Sequence, residues 1–229
     1  TSPEEGKAAV YLYPLPGGPL RRIALVEGQI SGCRWSPDGR FIYFLHTPKK
    51  QDKEKDKEKL FDVLTELYEK KEDGWDDRTR LRRMTADGTA TETLTAGDWR
   101  VDSFDLSPDG AKALVVRALE LSAYPFSRLE FYEQDLGDGA VRLLWAGSFN
   151  FGGARLSPRG DGFYFVGSSR FFSDNPADPW NYYDQDLYFW DRGTGQPRNL
   201  TEGFAPSVGL SIIYAAQRGE TLDFDPDGA

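Results

Sequence analysis

The chain has 229 residues, 39% of them hydrophobic and 14% aromatic, with a formal net charge of −9 and a pI near 4.8. That length and apolar content suffice for a substantial core in one large or two modest domains, and the negative charge argues against a nucleic acid or an anionic membrane surface as principal partner, since both demand clustered positive charge. A single cysteine, Cys33, and a single histidine, His46, exclude an internal disulfide and a Cys/His zinc site built from this chain alone.

The opening "TSPEEGKAAV" has neither the basic nor the hydrophobic region of a signal sequence, and no apolar run reaches the length of a membrane span. The cytoplasm is the expected compartment, with no membrane partner. From Val10, "VYLYPLPGGPLRRIAL" reads as strand, Gly-containing turn and strand, so residues 8 to 28 look like the last two strands of a larger unit. Next comes "WSPDGRFIYFL" at 35–45, where Ser36, Pro37, Asp38 and Gly39 match the position preferences of a type I turn. The run Phe41 to Leu45 lacks polar alternation, which predicts a strand covered on both faces. Cys33, just before the turn, reads as a small core residue.

Residues 49–77, "KKQDKEKDKEKLFDVLTELYEKKEDGWDD", interrupt this pattern. Lysines alternate with acids, then Leu60, Leu64, Leu67 and Tyr68 recur at helical spacing, which predicts a charged helical insertion with one apolar stripe. Its lysines and acids nearly cancel, so it is not a basic patch; a solvated helix is the plain reading, and a gating flap or a subunit contact in a homo-oligomer the sharper one.

Beyond the insertion the turn phrase returns as "LSPDGAKALVV" at 106–116 and "LSPRGDGFYFV" at 156–166. It alternates with a second hairpin phrase, "LRRMTADGTATETLT" from Leu81, "LEFYEQDLGDGAVRLL" from Leu129 and "LYFWDRGTGQPRNLT" from Leu187. Two hairpins per unit, with Ser107 and Ser157 separated by 50 residues and Ser36 and Ser107 by 71 because of the insertion, point to repeated four-stranded sheets. The predicted fold is all-β, a WD40-like β-propeller with about four blades visible across residues 1–229. The SPDG turn is then architecture rather than catalysis.

The segment Ser168 to Asp186, "SSRFFSDNPADPWNYYDQD", breaks the repeat with Arg170, Phe171, Phe172, Trp180, Tyr182 and Tyr183. Long aromatic loops often carry function, and these six residues are the candidates for contact with a peptide in a substrate channel, with Arg170 able to pair with a carboxylate. Packing of the rings on a neighbouring blade is the alternative. Asp184 and Asp186 fit a strand entrance as well as a paired-carboxylate or cation role. "NLT" at 199–201 matches a glycosylation acceptor but falls on a predicted outer strand. Gly209 runs almost directly into "LSIIYAAQRGETLDFDPDGA", as though a strand and turn were missing near Ser211. "DFDPDG" begins like a calcium loop without reaching its twelfth-position glutamate and reads as a turn, so no metal or other cofactor is expected.

The order "EDGWDDRTRLRRMTADG", "TLTAGDWRVDSFDLSPDG" and "YDQDLYFWDRGTGQPRNLTEGFAPSVG" resembles the N-terminal propeller of the acylaminoacyl-peptidase branch of the prolyl oligopeptidase superfamily of serine peptidases, over roughly residues 8 to 210. The SPDG phrase alone is shared with TolB and many other propellers. The resemblance implies a larger ring joined to an α/β-hydrolase domain with a Ser, Asp and His triad, in which the propeller restricts which short peptides reach the active site. No Gly-x-Ser-x-Gly nucleophile elbow occurs in this sequence; "VGSSR" at 166–170 and "GLSII" at 209–213 each lack the second glycine. No catalytic residue is therefore carried over, and the hydrolase domain is expected elsewhere in the parent polypeptide. The competing reading is a non-enzymatic TolB-like propeller that serves as a protein-binding platform.

Overall fold

The computed structural model of the protein describes residues 7–48, 79–95, 100–120, 127–147, 153–167, 185–204 and 208. Its strands fall into two compact units, Thr1–Val101 and Asp102–Ala229. Among the described residues every regular element is a β-strand. The helical insertion expected at 49–77 lies outside them.

In the first unit β1 (Lys7–Leu12) and β2 (Arg21–Glu27) form a two-stranded antiparallel sheet. β3 (Gln29–Trp35), β4 (Phe41–Thr47), β5 (Arg80–Thr85) and β6 (Thr91–Thr93) form a four-stranded meander in chain order. β4 and β5 pair from Phe41↔Thr85 to His46↔Arg80, so the insertion departs from and returns to adjacent strand ends, where the Thr47 and Thr79 hydroxyls lie 2.7 Å apart. Ile42, Tyr43, Phe44 and Leu45 are all buried, as the missing alternation predicts. Val10, Ile42, Phe44 and Met84 form the core between the two sheets. Cys33 is exposed, contrary to the core position expected for it. It sits on β3, an edge strand whose register with β4 shifts between Ser31 and Arg34, and that bulge takes the thiol out of the packed layer.

The second unit holds two more four-stranded meanders. One is β7 (Ser103–Leu106), β8 (Lys112–Glu120), β9 (Ser127–Asp135) and β10 (Val141–Gly147). The other is β11 (Gly153–Leu156), β12 (Gly162–Gly167), β13 (Asp186–Asp191) and β14 (Gln196–Asn199). Both predicted hairpin phrases therefore land as read: the SPDG turns join the first two strands of each four-stranded sheet, and the second phrase joins the last two.

The turn repeats in detail. Gly39, Gly110 and Gly160 adopt φ of 69°, 70° and 72°, and each donates its N–H to the carbonyl of the serine three residues earlier, at 2.9, 2.8 and 2.9 Å. A side chain is strained at such φ, which is why glycine closes the phrase. In the first two copies the aspartate locks the turn: Asp38 Oδ1 accepts from Ser36 Oγ at 2.6 Å and Arg40 N at 3.1 Å, and Asp109 Oδ1 accepts from Ser107 Oγ at 2.6 Å and Ala111 N at 3.0 Å. The hydroxyls of Ser36 and Ser107 accept the N–H groups of Phe41 and Lys112, each at 2.9 Å.

A second device closes the outer hairpins. Thr95 Oγ1 accepts the Leu81 N–H at 3.1 Å and Thr201 Oγ1 accepts that of Leu187 at 3.0 Å. The "LT" of "ETLT" and "RNLT" is thus a latch. Asn199 belongs to it: its Nδ2 donates to Asp186 Oδ2 at 2.9 Å while Thr201 Oγ1 donates to Asp186 Oδ1 at 2.9 Å. The acceptor-like "NLT" and the Asp186 carboxylate are both engaged in hairpin closure.

The second unit is held by rings. Phe163 and Phe165 point from β12 toward the β8–β9 pair, where Phe131 stacks on Phe163 with centroids 4.7 Å apart and tilts against Phe165 at 5.5 Å. Within their own sheet Phe163 stacks on Trp190 at 5.0 Å and Phe165 on Tyr188 at 5.1 Å, the pairs that the β12–β13 register sets opposite each other. Phe131, Phe163 and Phe165 are fully buried. Gly162 lies so close to β13 that a Cβ there would collide with the Trp190 carbonyl oxygen, so a small residue is needed for β12 to start. Truncating Phe163 to alanine removes contacts to both sheets, and its expected cost is about 3–5 kcal/mol. Urea denaturation of Phe163→Ala measures this; a midpoint near that of the wild type would contradict the stack.

Candidate functional site

The six residues singled out as channel candidates, Arg170, Phe171, Phe172, Trp180, Tyr182 and Tyr183, lie outside the described residues, as does Asp184. Their segment connects β12 to β13, whose ends pair as Gly167↔Asp186, opposite the end of β12 that carries the SPRG turn. His46 Nε2 stands 2.7 Å from the Glu27 carbonyl oxygen and its Nδ1 3.3 Å from Arg82 Nη1. Because the guanidinium only donates, Nδ1 accepts and Nε2–H donates to Glu27. Both ring nitrogens are occupied in joining strands.

Within the second unit the two sheets leave a cavity of about 330 Å³ at their turn ends. Its floor is apolar, from Leu114 on β8, Leu144 on β10 and Leu156 on β11. Its rim is formed by the two turn phrases, Ser107 to Asp109 on one side and Ser157 to Gly160 on the other. Lys112, Glu133 and Arg192 complete it.

Glu133 organises this charged wall. It sits on β9 with 8% of its surface exposed, and both carboxylate oxygens are taken. Oε1 accepts from Lys112 Nζ at 3.1 Å and Arg142 Nη2 at 3.1 Å; Oε2 accepts from Arg192 Nη2 at 2.5 Å. Arg142 is the direct cross-strand partner of Glu133 on β10, whereas Arg192 reaches over from the neighbouring sheet and is steadied by donating from Nε to the Gly160 carbonyl at 3.2 Å. Burial pushes the Glu133 carboxyl up, but the hydrogen bonds from Arg192 and Lys112 and their charges outweigh it and hold the pKa down to about 2. A second link between the sheets lies nearby, where Asp105 Oδ2 accepts the Leu156 N–H at 2.9 Å.

The third copy of the turn departs from the rule at this cavity. "SPRG" places Arg159 where Asp38 and Asp109 stand in the other copies. Ser157 Oγ there accepts from Arg159 N at 3.3 Å, in place of bonding an aspartate. The exchange of an acid for a cation brings Arg159, Lys112 and Arg192 around one concavity, against the carboxylates of Glu133, engaged through both oxygens, and of Asp109, engaged through Oδ1.

Since the Glu133 pKa is depressed from 4.5 to about 2, its contribution to stability is present above about pH 4.5 and is lost as the pH falls toward 2. Glu133→Gln is therefore expected to be less stable than the wild type at pH 7, with a deficit that shrinks between pH 4.5 and pH 2. Denaturation midpoints of both proteins across that range check it; a deficit that does not change with pH would contradict the charged tie.

No family model and no curated protein matches the sequence. Solved structures do match in fold. A putative TolB from Agrobacterium tumefaciens aligns with a TM-score of 0.53 and 20% identity over 86% of this chain and 57% of that one. An oligogalacturonate lyase in complex with manganese aligns with a TM-score of 0.57 and 17% identity over 94% of this chain and 47% of that one. Pyrococcus horikoshii acylaminoacyl peptidase aligns with a TM-score of 0.48 and 13% identity over 85% and 28%, too weakly to carry an argument. The chain thus spans less than two thirds of each protein, and the identities establish architecture alone. The chain has a TolB-like β-propeller fold.

Proposed function

We propose that this chain is the propeller portion of a serine peptidase of the acylaminoacyl-peptidase type, which gates the access of short peptides to a hydrolase domain carried elsewhere in the parent polypeptide. The observation that carries this reading is the ordered set of phrases in the sequence. "DRTRLRRMTADG" leads into and through the β5–β6 hairpin, "FDLSPDG" forms β7 and its turn, and "RNLT" is the β14 latch. Each phrase falls on a strand or turn of the repeated four-stranded sheets. Gating follows from the arrangement implied by the resemblance, where peptides reach the triad past the propeller, and the aromatic segment at 168–186 supplies side chains suited to meeting them.

A second reading is favoured by one specific observation. The matches with TM-scores above 0.5 include TolB, while the peptidase falls below that value. A TolB-like platform that binds another protein would need no hydrolase domain.

The two readings separate on the native protein. An antibody raised against this propeller is used to recover the polypeptide from its source, which is then treated with a fluorophosphonate that labels activated serines. Labelling of a polypeptide well above 25.8 kDa is the expected result. Recovery of an unlabelled protein of that mass would overturn the peptidase reading.

A further inference from the structure

We infer that the cavity between the two sheets of the second unit is a binding site for a carboxylate attached to an apolar body. The inference rests on this site's own chemistry and stands whether or not a hydrolase domain follows.

The first ground is an excess of donors. Glu133 spends both oxygens on Lys112, Arg142 and Arg192, and Asp109 spends Oδ1 on Ser107 and Ala111. Lys112 and Arg192 retain further N–H groups, and among the described residues the Arg159 guanidinium has no hydrogen bond or ion pair. Cations gathered in a concavity attract an anion with several acceptor oxygens, and guanidinium forks match a carboxylate in particular.

The second ground is the exception in the repeat. Asp38 and Asp109 show what the third turn position does when it only has to build the turn: it locks the serine hydroxyl and a backbone N–H. Arg159 gives up that lock, and it does so at the copy whose turn rims the cavity. The substitution gives up the two hydrogen bonds that the aspartate accepts in the other copies and keeps in their place a single longer one, from Arg159 N to Ser157 Oγ at 3.3 Å. Its side chain is available to an incoming ligand.

The third ground is the floor. Leu144 and Leu156, only partly buried over the Leu114 core, offer apolar surface alongside the cations, in a volume of about 330 Å³ that suits a small molecule. An inorganic anion would leave that floor uncovered. An amino-acid-sized carboxylate with a hydrophobic side chain would satisfy both parts; the carboxyl end of a peptide and a free aromatic acid share this chemistry.

The test is calorimetric titration of the full chain with N-acetyl-L-leucine, benzoate, N-acetyl-L-leucinamide and inorganic phosphate. Saturable binding of N-acetyl-L-leucine is expected, with Kd on the order of 1 mM for a ligand of this size. The neutral leucinamide and phosphate should bind at least about tenfold more weakly, through loss of the charge and of the apolar body respectively. Preference for N-acetyl-L-leucine over benzoate assigns the site to peptide carboxyl ends; the reverse order assigns it to free acids, and either supports the inference. Arg159→Asp restores the turn residue of the other copies, so it should fold at least as well as the wild type and bind N-acetyl-L-leucine at least about tenfold more weakly. Arg159→Gln, which removes the charge alone, provides the same comparison independently. Equal binding by wild type and both variants, equal binding of acid and amide, or no binding of any carboxylate would overturn the proposal.

Discussion

Phe163 is gripped between Phe131 of the neighbouring sheet and Trp190 of its own, and the second unit depends on that contact. A β-sheet with two apolar faces is unstable in water unless both are covered, and a four-stranded meander is too small to cover itself. The stack solves this by letting each sheet act as the other's core. Full burial of three phenylalanine rings supplies the hydrophobic part, and the offset stacking of rings adds roughly 0.5–1.5 kcal/mol per pair beyond it. It also explains why β12 reads as an unbroken apolar run.

Once two sheets are fixed face to face, their turn ends are fixed too, and polar chemistry becomes available there. Glu133 is buried on one sheet, and the cation that satisfies it most closely, Arg192, belongs to the other. Sliding of one sheet over the other would strip the nearly buried Glu133 of the cation that neutralises its Oε2, so the pair favours one relative placement of the sheets. The cavity is a consequence: its floor is the outer margin of the leucine packing, and its rim is the pair of turns that the stack brings together. The departure of Arg159 from the turn rule then places a further cation at a rim already held in position.

Much of the architecture is legible in the sequence because it is written locally. A Ser-Pro-Asp-Gly turn specifies its own hydrogen bonds within six residues, and the apolar runs after it declare burial without reference to any other part of the chain. Even the Arg142–Glu133 pair follows from the register of a single hairpin, "LEFYEQDLGDGAVRLL". The same local reading misplaces Cys33, because a bulge in an edge strand leaves no mark in composition. Arg192 could not be connected to Glu133 from sequence, since the two lie on different sheets and 59 residues apart. The one available signal was the break in the repeat at Arg159, which marks a position where turn building alone does not explain the residue. The aromatic segment at 168–186 stands out by composition, but what it touches depends on contacts that no spacing rule encodes.

A charged tie between the sheets frames the cavity, and a double-mutant cycle on Glu133 and Arg192 tests it most directly. Stabilities of Glu133→Gln, Arg192→Met and the double variant are compared with that of the wild type by urea denaturation at pH 7. Side chains in one ion-pair network should couple by about 0.5–3 kcal/mol, the double variant being less destabilised than the sum of the singles. Strict additivity of the two substitutions would contradict the account.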